Sequence, residues 1–307
     1  MMNIIGKRYW FFLISGILLV AGIVSLLVFG LQPSIEFSSG TIMTVGFQNK
    51  VTQAELSSEL STLGYSNFLI QTTSEGNYVV RMQDPATRAE LDAAARTALQ
   101  TKLVEKFGTA NVGPDFDSVS PLVAAETTRN ATIATLVAAV GILLYISWAF
   151  RKMPNPFRWG TSAIIALFHD IVLVIGLFSL FGKILGWEID LMFVTGVLAV
   201  LGFSNNNIVV IYDRIRENLL LGKSGDDFEK IVNNSVVETL ARSLNTNIAA
   251  LFPVVALLIV VGATIQNLLI VLLVGIVVGT YDSVCVAPAI LVVWQKGEWG
   301  RFIGRKA

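Results

Sequence analysis

Three ionisable side chains lie within stretches of this sequence that are otherwise apolar: His169, Asp170 and Asp282. An aspartate at the centre of a hydrocarbon layer costs about 2.5 to 3.5 kcal/mol on insertion scales, and such residues usually serve proton or ion handling. A structural alternative stays open for Asp282, because a neutral, hydrogen-bonded carboxylic acid can serve helix packing alone. Proton exchange is the chemistry that these residue types predict.

The positions of these residues along their apolar stretches place them at a similar depth. Asp282 precedes Trp294 by about twelve residues, or ~18 Å of helix, and His169 lies about ten residues, ~15 Å, into its own stretch. Because adjacent helical residues point about 100° apart, we expect His169 and Asp170 to serve different neighbours. A relay or gating role and a structural role both remain open for this pair.

The composition requires a lipid environment. Hydrophobic residues make up 54% of the chain and charged residues 14%, and the mean hydropathy is +0.67, whereas globular chains carry about 25% charged residues. A helical crossing needs about 20 apolar residues. Four runs of that length precede an apolar tail that is long enough for two helices and is interrupted at 261–264 and at Gln266-Asn267. The six predicted spans are Trp10–Gly30, Asn130–Phe150, Gly160–Gly182, Leu191–Tyr212 and two helices within Ser243–Trp294.

Lysines and arginines near the ends of the spans predict which side of the membrane each end faces. With both termini in the cytoplasm, basic residues collect at the cytoplasmic ends, and the short outer turns hold only Lys183. The predicted domains are a cytoplasmic N-terminus (1–9), a first transmembrane helix (10–31), an extracytoplasmic domain (32–128), a five-helix region (129–295) with a cytoplasmic loop (213–242), and a cytoplasmic tail (296–307).

The segment between the first two spans has the patterns of a small α+β domain. Its predicted order, β-α-β-β-α-β, is the split βαβ or ferredoxin-like arrangement. Thr52 and Glu55 form a capping box before the first helix, and Pro85 is predicted to begin a second helix that runs to Phe107. The strands are predicted at Thr41–Gln48, Phe68–Thr72, Tyr78–Met82 and near Val112–Val119, with a hairpin turn at Gly76-Asn77. The predicted fold is therefore a polytopic α-helical membrane protein with six transmembrane helices and one ferredoxin-like domain.

Several functional classes receive no support from the sequence. Basic and acidic residues number 22 each, so no net charge points to nucleic acid. No metal-ligand spacing, phosphate-binding glycine loop or nucleophile–base pair is evident, so we predict no enzyme, no metal site and no other cofactor. The single cysteine, Cys285, is expected to pack within an apolar helix.

Several segments carry motifs with a specific pattern. The third and fourth spans contain A-L-x-H-D, ending at Asp170, and D-R-I-R-E-N, from Asp213 to Asn218. Weaker matches are R-S-L-N-T at Arg242, a G-x-x-x-G-T-Y segment at Gly275 and Gly279, and I-E-F-S-S-G-T before the first predicted strand. Over nearly its whole length, the chain resembles the SecF family of bacterial protein-export membrane proteins.

The resemblance implies an activity and a set of partners. A SecF-type subunit works with SecD beside the SecYEG translocon, with YajC and SecA as indirect partners, and uses the proton motive force to promote export of secretory proteins. It implies a multi-pass protein in the bilayer of the bacterial cytoplasmic (inner) membrane.

Two departures from the family pattern bear on mechanism. The family has a proton-carrying aspartate where this chain has Asn207, and an amide cannot exchange a proton at physiological pH. Asp282 stands where the family generally has serine. We therefore hypothesise that the titrating carboxylate has moved from the fourth span to the sixth. Alternatively, Asn206 and Asn207 only hydrogen-bond across helices. Arg242 is either a positive-inside anchor or, by the resemblance, a charge partner for a membrane carboxylate.

The remaining motif residues have simpler interpretations. The end of the fourth span is expected to form a solvated ion network or a partner contact through Asp213, Arg214, Arg216, Glu217 and Asn218. Gly275 and Gly279 form a G-x-x-x-G pair, which predicts close helix approach in the bundle or with the partner subunit.

Alternatives to a proton-driven export subunit remain open. One is half of a small-molecule or lipid transporter of the resistance-nodulation-division superfamily, to which the resemblance assigns SecF. Another is a structural export subunit that conducts no protons. An intramembrane enzyme using His169 and Asp170 is the least supported hypothesis.

Overall fold

The structure is a computed structural model that describes residues 2–66, 68–72, 76–85, 89–108, 110–221, 227–260 and 265–298, with the backbone alone for 110–114. The chain separates into two compact units, Met1–Gln32 with Ile133–Ala307, and Pro33–Thr132. The first contains the long apolar helices, and the second contains a four-stranded sheet.

The described residues contain six helices that are long and apolar enough to cross a membrane, which confirms the predicted number. A short 3₁₀ turn, Ile5–Lys7, leads into the first. The helices are α1 (Arg8–Phe29), α5 (Pro121–Ala149), α6 (Pro156–Leu185), α7 (Leu191–Leu220), α8 (Phe228–Val260), and a final span made of α9 (Gln266–Tyr281), a π-helical turn (Asp282–Val286) and α10 (Ala287–Lys296). Several extend beyond the apolar runs because helix propensity continues past the apolar segment.

The second unit consists of α2 (Ile35–Ser38), β1 (Gly40–Phe47), α3 (Gln53–Thr62), β2 (Phe68–Thr72), β3 (Tyr78–Met82), α4 (Ala93–Phe107) and β4 (Ala110–Val119). All three strand pairings are antiparallel, in the order β2-β3-β1-β4. This is the predicted ferredoxin-like topology. Its core includes Met43, Leu56, Val80 and Leu103, each at most 2% exposed.

Local capping explains where the helices of this domain begin. The capping box between Thr52 and Glu55 is present, and the hydrogen bonds from Thr52 lower the pKa of the Glu55 carboxyl. The predicted start of the second helix at Pro85 is wrong. Its N-cap is Asp92, whose side chain accepts the Ala95 amide, so α4 begins at Ala93.

Parts of three predictions lie outside the described residues. They are the break at 261–264, the C-terminal tail from 299 and residues 73–75 of the hairpin turn. Gly76, within that turn, has a positive φ of 81°, which favours glycine. Gln266 and Asn267, placed at a break by the sequence pattern, are instead the first residues of α9.

Close backbone approaches set the packing of the membrane helices. A Cβ on Gly176 of α6 would lie 2.5 Å from the Gly22 Cα atom of α1, and one on Gly196 of α7 would lie 2.8 Å from Val271 of α9. Neither site has room for a larger residue. These contacts join α1 to α6 and α7 to α9, and all four helices contribute to the polar groups described below.

Ion pairs gather the ends of three spans at one end of the bundle. Arg8 pairs with Glu229 and Glu298 at 2.8 Å each, and Lys296 pairs with Asp227 and Glu229 at 2.7 and 2.8 Å. These pairs link the start of α1, the start of α8 and the end of α10.

Candidate functional site

The single histidine of the chain contacts Asp282 inside the bundle. His169 Nδ1 lies 2.5 Å from Asp282 Oδ2, and His169 Nε2 lies 3.3 Å from the Ser15 carbonyl oxygen. A carbonyl oxygen only accepts hydrogen bonds, so the Ser15 contact assigns a hydrogen to Nε2. The 4%-exposed imidazole therefore joins α6 to the final span on one side and to α1 on the other.

Asp170 lies beside this pair but takes a different hydrogen-bond partner. Its Oδ2 atom accepts a hydrogen bond of 2.5 Å from the Ser204 hydroxyl of α7. Asp170 and Asp282 are both fully buried, and the Oδ1 atom of each has no hydrogen-bond partner. Adjacent positions on α6 thus serve different neighbours, in agreement with their ~100° separation. We call His169, Asp170, Asp282 and Ser204 the carboxylate cluster.

A change in helical geometry occurs where Asp282 enters the carboxylate cluster. Residues Asp282–Val286 form a π-helical turn between α9 and α10. Such turns insert one residue into an α-helix and recur at functional sites. One turn earlier, a Cβ on Gly279 would lie 2.9 Å from Ser204 Oγ and 3.5 Å from Asp170 Oδ2, so glycine lets α9 approach the cluster closely.

Three of these side chains are also of the types that bind metals. One potential ligand atom each from His169, Asp170 and Asp282 lies within 4.8 Å of the others, the only such group in the part of the chain that the structure describes. The 2.5 Å contact with Asp282 occupies the imidazole Nδ1 atom. A metal ion would have to displace that contact.

A second polar group links α7, α8 and α9. Asn207 Nδ2 donates to Asn247 Oδ1 at 2.9 Å, and Asn247 Nδ2 donates to Thr280 Oγ1 at 2.6 Å. Thr280 Oγ1 in turn donates to the Ile276 carbonyl oxygen at 2.5 Å. We call Asn207, Asn247 and Thr280 the amide chain. None of its side chains gains or loses a proton near neutral pH.

Sequence comparison assigns the chain to a family. The profile "Protein export membrane protein SecD/SecF, C-terminal" matches residues 99–297, and the profile "SecD/SecF GG Motif" matches 24–51. The chain belongs to the SecD/SecF family. The protein translocase subunit SecF of Anaerolinea thermophila is 38% identical over 310 residues, covering 100% of this chain and 98% of that protein.

Some relatives are longer proteins in which one region is similar to this chain. The protein translocase subunit SecDF of Bacillus subtilis is 32% identical over 95% of this chain, which covers 38% of that protein. The crystal structure of SecDF from Thermus thermophilus, described as a translocon-associated membrane protein, matches with a TM-score of 0.82 at 29% identity, covering 96% of this chain and 39% of that one.

The family motif near the first strand has an unusual backbone here. Ser39 lies in the segment that matches the GG motif profile and has φ 59° and ψ 168°. Only glycine adopts that region readily. Gly40 follows with φ 128°, where a Cβ would lie 2.9 Å from the Met82 carbonyl oxygen.

Two predicted site residues lie away from both polar groups. Asn206 on α7 and Arg242 on α8 are exposed. Within the described chain, the Arg242 side chain has no ion pair, and its backbone carbonyl oxygen accepts the Thr246 hydroxyl.

The helix-end motif forms a surface network between α7 and α8. Arg214 pairs with Glu217 and Glu238 at 2.6 Å each, and Arg216 pairs with Asp213 at 3.4 Å. Asn218, which is buried, donates to Ser235 Oγ at 2.9 Å. Exposed ion pairs of this kind contribute about 0–1 kcal/mol, so these contacts add little to stability.

The G-x-x-x-G pair of the final span faces α7 within this chain. A Cβ on Gly275 would lie 2.2 Å from Val200 Cγ2, and Gly279 faces Ser204. The pattern thus reflects packing inside the bundle.

Sequence reasoning missed Ser15, Ser204, Asn247 and Thr280 as partners of the polar groups. Asn247 had a sequence signal, since it lies two residues after Asn245 in an apolar segment. The serines had none, because serine is common in membrane helices.

Proposed function

We propose that this chain is the SecF-type subunit of bacterial protein export, which with SecD uses the proton motive force to promote translocation of secretory proteins through SecYEG. Its full-length similarity to proteins named protein translocase subunit SecF supports this role. The observation that carries the proton-driven part is the carboxylate cluster, in which three ionisable groups meet inside helices able to cross a membrane.

Within this role, Asp282 is the proton-exchanging carboxylate of the chain. It is fully buried in the final span, and a histidine on α6 contacts it directly. Gain or loss of its proton changes a contact between two helices, which links chemistry to helix movement. Asn207 takes no part in proton exchange, and the amide chain fixes the spacing of α7, α8 and α9.

The exposed residues Asn206 and Arg242 provide the contact with SecD. An unpaired arginine within or near the membrane is stabilised by a carboxylate or carbonyl oxygen of a neighbouring subunit. SecYEG, together with YajC and SecA as indirect partners, completes the assembly. The chain lies in the bacterial inner membrane with both termini in the cytoplasm, because basic residues collect on that side.

The experiment uses vesicles that contain SecYEG, SecA and SecD, with or without this chain. We expect ATP-initiated export of a secretory protein to increase when both the chain and a proton gradient are present, and an ionophore to abolish that increase. Export that is the same with and without the chain would contradict the proposed function.

The amide chain favours a second candidate, a structural export subunit that conducts no protons. Asn207 and Asn247 hold three helices together without titrating. Under this candidate, the chain stimulates export, but substitutions in the carboxylate cluster leave proton flux unchanged.

A further inference from the structure

We propose that the carboxylate cluster holds two exchangeable protons in its resting state, one between His169 and Asp282 and the other on one carboxyl group of the Asp170–Asp282 pair. Asp170 is thus a second proton carrier. The sequence analysis left a relay role and a structural role open for His169 and Asp170 together and gave Asp170 no role of its own. The proposal rests on the proposed function, because it states what the cluster carries in that role.

The first proton follows from the hydrogen-bond donors and acceptors around His169. The Ser15 carbonyl oxygen assigns one hydrogen to Nε2, so Nδ1 in a neutral imidazole is an acceptor. A carboxylate oxygen is also an acceptor, and two acceptors 2.5 Å apart repel each other. One proton must therefore lie between Nδ1 and Asp282 Oδ2, on either atom.

The second proton follows from the two carboxyl groups. An oxygen atom of Asp170 lies within 4.8 Å of an oxygen atom of Asp282, which is close enough for two negative charges to repel each other. Both are fully buried, and each leaves its Oδ1 atom without a donor. The first proton still leaves one negative charge on these buried side chains, and an isolated buried charge is costly, so the second proton is assigned to one of the two carboxyl groups. Buried polar atoms without partners are rare in native structures.

The charge balance of the cluster also requires two protons. With a neutral imidazole and both carboxyl groups ionised, the cluster carries a charge of about −2, which two protons neutralise. No lysine or arginine forms an ion pair with either aspartate in the described chain. The polar groups contributed by the packed elements are uncharged: Ser15 on α1, Ser204 and Tyr212 on α7, and Tyr281 on α9, with Cys285 in the π-helical turn itself. Isolated charges in such surroundings are costly.

Release of the protons changes the contacts between helices. When the first proton leaves to a water molecule, Nδ1 and the Asp282 carboxylate face each other as two acceptors, and the contact between α6 and the final span opens. When the second leaves to water, two carboxylates repel each other across the same boundary. Proton uptake from water on the other side restores both contacts, so the cycle moves two protons and breaks no covalent bond.

Two spectroscopic measurements on the full chain with SecD in lipid vesicles test the proposal at neutral pH. The first is infrared spectroscopy of protein labelled with ¹³C-aspartate. We expect an absorption from protonated carboxyl groups that loses intensity in Asp170→Asn and in Asp282→Asn. The exposed Asp117→Asn, a matched control in the other unit, should retain it. Absence of the absorption from the wild type, or an absorption that keeps its full intensity in Asp170→Asn, would contradict the assignment of the second proton.

The second measurement is ¹⁵N NMR of labelled histidine, which is specific because the chain has one histidine. The protein must carry a tag without histidine. We expect a hydrogen on Nε2 and a strongly hydrogen-bonded Nδ1, with the Nδ1 signal moving to that of a simple acceptor in Asp282→Asn. An imidazole ring without a hydrogen on Nε2, or an Nδ1 signal that Asp282→Asn leaves unchanged, would contradict the assignment of the first proton.

These measurements do not depend on export. If both signals are found and Asp282→Asn still leaves gradient-driven export intact, the proton count stands and the proposed coupling role fails. If the signals are absent while the chain stimulates export, the export role stands and the two-proton proposal is wrong.

Discussion

The carboxylate cluster and the amide chain share α7 and the final span but differ in what they can do. The cluster joins α1, α6, α7 and the final span through groups that titrate. The amide chain joins α7, α8 and α9 through groups that do not. Ser204 and Asn207 are three residues apart on α7, so one helix contributes to both. Under the proposed function, the contacts of the cluster switch with protonation and those of the amide chain stay fixed.

The largest effect on stability is expected when the carboxylate cluster is crowded. In Gly279→Ala, the new Cβ lies 2.9 Å from Ser204 Oγ, so the Ser204–Asp170 hydrogen bond must shift. Overpacking of this kind costs about 1–3 kcal/mol. Unfolding in mixed detergents and gradient-driven export should both be impaired.

The matched control for this change is Gly202→Ala on α7. Gly202 is exposed, and a Cβ there would meet no atom within 4 Å. This variant should be as stable as the wild type or more so. Equal behaviour of the two alanine variants would mean that close packing at Gly279 does not position the cluster.

A smaller effect on stability is expected when the hydrogen bonds of the amide chain are removed. Asn247→Ala removes two side-chain hydrogen bonds, each worth about 0.6 kcal/mol in a membrane bundle. Stability should fall by about 1 kcal/mol, while the pH dependence of export stays that of the wild type. The exposed neighbour Asn245→Ala is the control and should change neither quantity. A shifted pH dependence in Asn247→Ala would remove the distinction between the two groups.

A change outside both groups should leave gradient-driven export unaltered. Ser39→Gly relieves a backbone conformation that costs about 1–3 kcal/mol in a residue with a Cβ. The Pro33–Thr132 unit should become more stable, as measured by hydrogen exchange of its strand amides. Ser39→Ala keeps the Cβ and should give no such gain. Equal stability of the two variants would argue against strain at this position.

Much of the fold follows from local patterns in the sequence. The strand bounds of β2 and β3 and the capping box at Thr52 were predicted correctly because alternation and capping depend on residues near in sequence. The start of α4 was missed because Asp92, rather than Pro85, supplies the N-cap. A proline is compatible with a turn as well as with a first helical turn.

The site could be predicted only in part. Depth along a helix follows from 1.5 Å per residue, so the similar height of His169 and Asp282 was available from the sequence. Their contact was not, because it depends on the rotation of each helix, and the π-helical turn at Asp282 changes that rotation. The sequence also did not reveal that Asn207 hydrogen-bonds to Asn247, because long-range packing sets which sides of α7 and α8 are turned toward each other.

The most direct test of the central claim compares three proteins in vesicles with SecD, SecYEG and SecA: wild type, Asp282→Asn, and Asp282→Asn combined with Asn207→Asp. We predict that Asp282→Asn lowers proton flux about 100-fold, as for loss of a general acid–base group, and abolishes gradient-driven export. The second substitution returns a carboxylate to the position where the family has one, and we predict that it restores part of the flux. Normal flux and gradient-driven export in Asp282→Asn would contradict the claim that the titrating carboxylate has moved to the final span.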